Sequence, residues 1–336
     1  MKKNYKTLSV LLLSLLVLSF ASCSKAVKDD NGIYTVSTDA AKAAKKNGKP
    51  VVVVATMGEV DLYSTDFINY VLNDPRFKDE IAQDYNVLHL DFSQSAYEAT
   101  AVGPDATKEE IKIADKNAAI MQKNTLLASR LNLQDTPSIY LLSSDMYFIK
   151  QLDYLTDEVT NYDSFKNLLL KQEEDITLFN EKVMNAKNGS KEDRLVGINR
   201  LYDDTDIVYR AFLGDLIDDY ISLDKNNETG LLSKYLIARA DIDSSNYFMA
   251  GDIANAVKVY VKCAEDERIE AEYKQNLYYL ASYMLASTNS IDYEAMINYL
   301  EKAINAYPEG PNVPMMETVL SRLKEAVGAL DALDTE

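Results

Sequence analysis

Apolar positions change their period several times along the chain, and each change marks an element. Val51–Thr56 is a continuous apolar run rich in β-branched residues, the pattern of a strand buried on both faces. Helical spacing follows at Phe67, Val71, Phe77 and Ile81, and Val87, Leu88, Leu90 and Phe92 return to a strand. Lys49–Ser93 therefore predicts one βαβ unit, with a parallel strand pair and a right-handed crossover. Ahead of it, Ile33–Val36 reads as a short edge strand and Thr38–Asn47 as an Ala/Lys-rich helix closed by Gly48. Behind it, Gln94–Asn117 reads as an insertion of mixed polarity, with a turn at Gly103-Pro104 and a helical pattern over Thr107–Ile113. Helical spacing resumes at Ile120, Leu126, Leu127 and Leu131. Ser143–Met146 then reads as a hairpin turn, Tyr147–Leu152 as a strand and Tyr162–Lys171 as a closing helix.

From about Asp157 no strand signal remains. Amphipathic helices are predicted around Phe165–Lys187, Lys191–Tyr202, Asp206–Leu223, Thr229–Ala250, Ile253–Ala264, Glu270–Ala286, Tyr293–Ala306 and Pro314–Leu333. Breakers such as Asn188-Gly189-Ser190, Gly251-Asp252 and Pro308–Pro311 separate them. The last helix places Met315, Val319, Leu323, Val327 and Leu330 on one face, as a capping helix would.

Composition narrows the partners. An apolar share of 47% is ample for packed cores, and 336 residues suggest two domains. Asp and Glu number 53 against 35 Lys and Arg, a formal charge of −18, which argues against nucleic acid as a partner. The first residues carry Lys2, Lys3 and Lys6, then an apolar run, Leu8–Phe20, too short to span a bilayer comfortably. The run ends in Leu18-Ser19-Phe20-Ala21-Ser22-Cys23, which resembles the lipobox of bacterial lipoproteins, with Phe20 in place of the commoner Leu. That resemblance implies a signal peptide over 1–22, a lipidated Cys23 held in the cell envelope, and a polar tether over 23–31. Ser24 after the cysteine favours the outer membrane. Two acyl chains supply a stable anchor without a membrane-spanning helix. Cys263 is the one other cysteine, so the anchored chain has no pair for a dithiol reaction. One histidine and one remaining thiol cannot complete a structural zinc site either, and no cofactor is implied.

Lys49–Ser93 resembles the thioredoxin-like family, in the branch whose first core strand is led by Gly-Lys-Pro. The redox turn of that branch, Thr-Gly-Ser-Asp-Trp-Cys-x-x-Cys, aligns without gaps on Thr56–Ser64, so the cysteines fall on Asp61 and Ser64. Leu131–Leu142 is similar to the family's entry into its next strand, which makes Thr136-Pro137 the expected cis-proline bond. Asp61 sits where helix dipoles favour an anion and reads as a cap-region residue rather than a catalytic one, with Ser64 or Thr65 as an expected source of the N-cap oxygen itself. Tyr63, between the two lost cysteines, is the candidate partner contact, with packing against the helix as its other reading. Further on, Tyr247, Gly251-Asp252, Ala256, Tyr260 and Cys263 resemble a tetratricopeptide repeat. Met296, Leu300, Ala303 and Pro308 follow in the next unit, and Cys263 is expected at a buried helix crossing.

The expected fold is thus α/β plus all-α: a thioredoxin-like βαβ…ββα sandwich over 32–172, then tetratricopeptide-like helical hairpins over 173–336. The sole histidine, His89, lies on a strand face with Val87 and Asp91, and reads as a structural residue. A hydrolase built from Ser64, His89 and Asp91 lacks a nucleophile elbow. The expected function is non-catalytic binding of a protein or peptide partner, as scaffold or chaperone. The alternatives are an enzyme of thioredoxin-family descent or with partner-supplied chemistry, and a surface adhesin or solute-capture lipoprotein. No residue is singled out as catalytic.

Overall fold

The computed structural model describes residues 28–153, 161–286 and 292–333. Cys23, the signal segment and the first part of the tether lie outside the described residues. Contacts divide the chain into two compact units, one drawn from 28–124, 135–146 and 150–168, the other from 125–134, 147–149 and 169–333.

The first unit is built on a four-stranded sheet. Helix α1 (Ser37–Asn47) ends at Gly48, whose φ of 74° lets its amide reach the Ala44 carbonyl. Strand β1 (Val51–Thr56) is buried at every position. It runs parallel to β2 (Asn86–Asp91), with Val51 opposite Asn86 and Thr56 opposite Asp91. On its other side it runs antiparallel to β3 (Ser138–Leu142), with Val53 opposite Tyr140. Strand β4 (Phe148–Leu152) completes the order β2-β1-β3-β4. An interior strand covered on both faces needs apolar residues without alternation, which is what Val51–Ala55 supplies.

Several local expectations are corrected. Ile33–Val36 is not a strand: Tyr34 alone bridges to β2, through Val87 and His89. The Asn124 side chain takes the Thr35 carbonyl and the Ser37 amide, ending the pairing. The helix after β1 is not continuous. Helix α2 (Leu62–Phe67) widens into a π-turn (Ile68–Leu72) and stops before Asp74-Pro75, where proline removes a donor and restricts its predecessor. Phe77 and Ile81 still reach the core, from a turn and from the short α3 (Ile81–Asp84). Their spacing reported a shared core, not a shared helix.

Beyond β2, Ser93 caps the short α4 (Gln94–Glu98). The expected insertion ends inside a helix, because α5 (Lys108–Arg130) runs unbroken for 23 residues. Thr107 and Glu110 exchange side-chain bonds at its start, a Thr-x-x-Glu capping box. Helix α6 (Tyr162–Leu170) puts Phe165 edge-on to Phe67, 5.3 Å between ring centres.

The second unit is helical: α7 (Glu173–Lys187), α8 (Lys191–Asp204), α9 (Gly214–Leu223), α10 (Leu232–Met249), α11 (Ile253–Ala264), α12 (Ala271–Leu285), α13 (Tyr293–Ala306) and α14 (Val313–Leu333). Two expected helices are each divided. Phe165–Lys187 breaks between α6 and α7, and Asp206–Leu223 opens as a 3-10 stretch over Ile207–Leu213. Sequence neighbours from α9 to α14 pack on one another in turn, as do α7 on α8 and α8 on α9. Tyr220 and Tyr235 stack at 3.6 Å within one core, and Leu277, Ala281, Val257 and Tyr260 form another. Cys263 is half-buried rather than buried; the adjacent Ala264 takes the fully enclosed place in α11.

Candidate functional site

The residues singled out around the aligned redox turn converge at the start of α2. Asp61, with extended backbone (φ −131°, ψ 114°), is itself the N-cap, in line with its reading as a cap-region residue, and the cap oxygen comes from neither Ser64 nor Thr65. Its Oδ1 accepts the Tyr63 amide at 3.1 Å and its Oδ2 the Ser64 amide at 3.2 Å. The Ser64 hydroxyl donates to the same Oδ2 at 2.5 Å and accepts the Met57 amide at 3.1 Å. Thr136, whose bond to Pro137 is cis, donates its hydroxyl to Asp61 Oδ2 at 3.2 Å. One carboxylate therefore ties the turn after β1 to the segment before β3.

The turn is held from its other side as well. Thr65 donates its hydroxyl to the Gly58 carbonyl at 2.9 Å. Gly58 has φ +58°, and a Cβ there would lie 2.6 Å from the Ser93 Cβ, so the position takes glycine for both conformation and space. Ser95 on α4 donates to Glu59 at 3.1 Å.

On this framework the outward side chains are apolar. Val60, Leu62 and Tyr63 are 61%, 71% and 61% exposed, and Met57 is exposed beside them. Ser64, by contrast, is fully enclosed. In the sequence the signal for Val60 and Leu62 is that of apolar residues in a turn, whereas the resemblance points to Asp61 and Tyr63.

Chemically Asp61 and Ser64 hold the geometry of the turn: the Ser64 hydroxyl is spent on Asp61 and is out of solvent. Ser64 and His89 are not hydrogen-bonded to each other. His89 Nε2 pairs with Thr56 Oγ1 at 2.8 Å, and Asp91 accepts the Ser93 amide at 2.9 Å. Burial, first, holds the His89 imidazole below its ordinary pKa, against the opposing pull of the Asp91 and Asp29 carboxylates. Thr56 is wholly buried, so its hydroxyl is not presented to a substrate.

Cys263 donates weakly to the Leu236 carbonyl at 3.8 Å. Burial, then the Asp266 and Asp241 carboxylates, push its thiol up to about 12, which suppresses the nucleophilic thiolate. Among the described residues no group of three or more His, Cys, Asp or Glu side chains is placed to hold a metal ion. No helix of the described residues is long and apolar enough to cross a membrane.

Comparison with known proteins adds a family match in the helical unit. Residues 231–329 match the family model TP_0391_C, described as an uncharacterised protein C-terminal domain. A solved structure titled DsbH oxidoreductase aligns with 45% of this chain and 92% of its own, at 15% identity and a TM-score of 0.29. Comparison with curated proteins finds no match. The matched family segment begins just before α10 and ends within α14, so it includes Cys263 and lies wholly outside the Asp61 turn.

Proposed function

We propose that this chain is a lipoprotein anchored through Cys23 in the bacterial cell envelope, where it binds a protein or peptide partner without chemistry. In this reading the first unit is a thioredoxin-like domain whose redox pair has become Asp61 and Ser64. The parallel β1–β2 pair, the antiparallel β1–β3 pair and the segment before Pro137 bonded to the Asp61 turn support that reading. The second unit is a tetratricopeptide-like array. Ala256 and Tyr260 on α11 and Met296 and Leu300 on α13 are buried at corresponding places 40 residues apart, which supports it.

One observation carries the binding role. Met57, Val60, Leu62 and Tyr63 expose apolar surface together on a turn that is fixed by partly buried hydrogen bonds. Exposing them costs solvation and gives nothing to the fold, whereas a rigid apolar patch containing an aromatic is what a partner buries at little entropic cost. The loss of Cys-x-x-Cys chemistry with retention of the turn's geometry fits docking rather than turnover.

The test is site-specific photo-crosslinking in envelopes. A photoreactive side chain at position 63 should yield a discrete protein adduct, and Leu62→Asp in the same chain should remove it. The comparison position is Tyr283 on α12, which is 63% exposed. Adducts from position 283 alone, indifferent to Leu62→Asp, would move the binding surface to the helical unit and sink the role given to the turn.

A further inference from the structure

Behind β2, and independent of the binding role above, lies a cavity of about 250 Å³. Its polar wall comes from Thr35, His89, Asp91, Asn117 and Asn124, and its apolar wall from α4 and from Ile120 and Met121 on α5. The walls are tied in place. Asn124 donates to the Thr35 carbonyl at 2.9 Å and accepts the Ser37 amide at 3.2 Å. Asn117 donates to the Ala99 carbonyl at 3.0 Å, which fixes the segment after α4 to α5. The cavity's walls are therefore held by bonds within the protein, and it needs no ligand to form.

What those bonds leave over defines the ligand. Asn117 and Asn124 each spend one side-chain N–H on a backbone carbonyl, and His89 Nε2 is paired with Thr56. Asp91 spends Oδ1 on the Ser93 amide, which leaves Oδ2 without a hydrogen bond, and the Asn117 carbonyl oxygen has none either. Both are acceptors. No lysine or arginine lines the cavity, so the negative charge of Asp91 is not neutralised there. His89, kept neutral by burial, does not neutralise it. A carboxylate beside an apolar wall with no cation of its own is complementary to a donor-rich, positively charged head carried on a short apolar body. The volume lies below the ~300–1,000 Å³ of pockets for drug-sized molecules, which limits that body to a few carbons.

We propose that this cavity is a binding site for a compact organic ammonium ion, its head on Asp91 and Asn117 and its apolar part against Ile120 and Met121.

The single histidine makes the test direct, because its ring protons give one set of resonances that belongs to the cavity wall. The full chain in neutral detergent is titrated with isobutylammonium, with isobutanol and isobutyrate as matched neutral and anionic probes. Isobutylammonium should shift the His89 signals saturably, and the other two should not. Asp91→Asn should weaken that binding roughly tenfold or more. Ala96→Leu, which fills the cavity from α4, should abolish it while the circular dichroism stays that of wild type. Should Ala96→Leu fail to fold, Asp91→Asn decides. Equal shifts from isobutanol, no saturable shift from isobutylammonium, or unchanged affinity in Asp91→Asn would each overturn the site.

Discussion

At the start of α2 one carboxylate accepts four hydrogen bonds, from the amides of Tyr63 and Ser64 and the hydroxyls of Ser64 and Thr136. Removing it leaves the enclosed Ser64 hydroxyl and two helix amides short of an acceptor. Asp61→Ala should therefore lower stability by about 1–3 kcal/mol, combining a lost cap with a lost buried acceptor, as read by denaturant unfolding. Cys263 presents the opposite case, a residue whose environment silences it. Its thiol should react with iodoacetamide near neutral pH roughly a hundredfold or more slowly in the native chain than after unfolding. Its folded pKa, about 12, lies above the unfolded one, so its contribution to stability is complete below the ordinary thiol range and is lost as pH rises towards that value. Cys263→Ala should accordingly lose less stability than wild type between about pH 8 and about pH 11.

Between helices, intrinsic propensity and packing pull in different directions. Gly197 lies mid-helix in α8, where alanine would be favoured by about 1 kcal/mol on propensity alone. Yet a Cβ at 197 would sit 2.6 Å from the Asn185 carbonyl oxygen and 2.9 Å from the Ala186 Cα, in the backbone of α7. Backbone cannot swing aside as a side chain can, so Gly197→Ala should destabilise by about 1–3 kcal/mol net. Gly328 in α14 provides the control, since a Cβ there meets nothing within 4 Å. Gly328→Ala should raise the thermal midpoint, by about 0.5–1 kcal/mol in stability, and the two variants should move it in opposite directions. The same competition explains the elements that periodicity misjudged. Apolar spacing from Phe67 to Ile81 marks residues that reach one core, but Pro75 interrupts the helix that would have carried them all.

For the molecule as a whole, an excess of 18 negative charges favours a solvated surface, so the proposed attachment to the envelope rests on the proposed lipid. Cys23→Ala should then shift the chain from the detergent phase to the aqueous phase in phase partitioning of cell extracts. Partitioning of Cys23→Ala identical to wild type would remove the anchor from the proposal. The two compact units divide the labour in this reading, with the Asp61 turn in one and the family-matched helices in the other.

The sequence by itself determined the elements whose cause is local or strictly periodic. The run Val51–Thr56 required a strand covered on both faces, Gly48 required the end of α1, and the breakers after Lys187 and Ala250 required helix ends. The boundaries of α11 and α13 were readable to the residue, because each begins just after a capping aspartate, Asp252 or Asp292, and carries a regular apolar face. The position of Asp61 near a helix N-terminus was readable too. Tertiary structure alone decided what distant segments do to one another. It added the Thr136 hydroxyl, from 75 residues away, to the two local amides that Asp61 caps, and it cut the Ile33–Val36 pairing short by placing Asn124 against that backbone. It likewise brought Asp91, Asn117 and Asn124 around one cavity. These outcomes depend on which hydrogen-bond partner wins when several are within reach, and residue spacing holds no record of partners that only folding brings near.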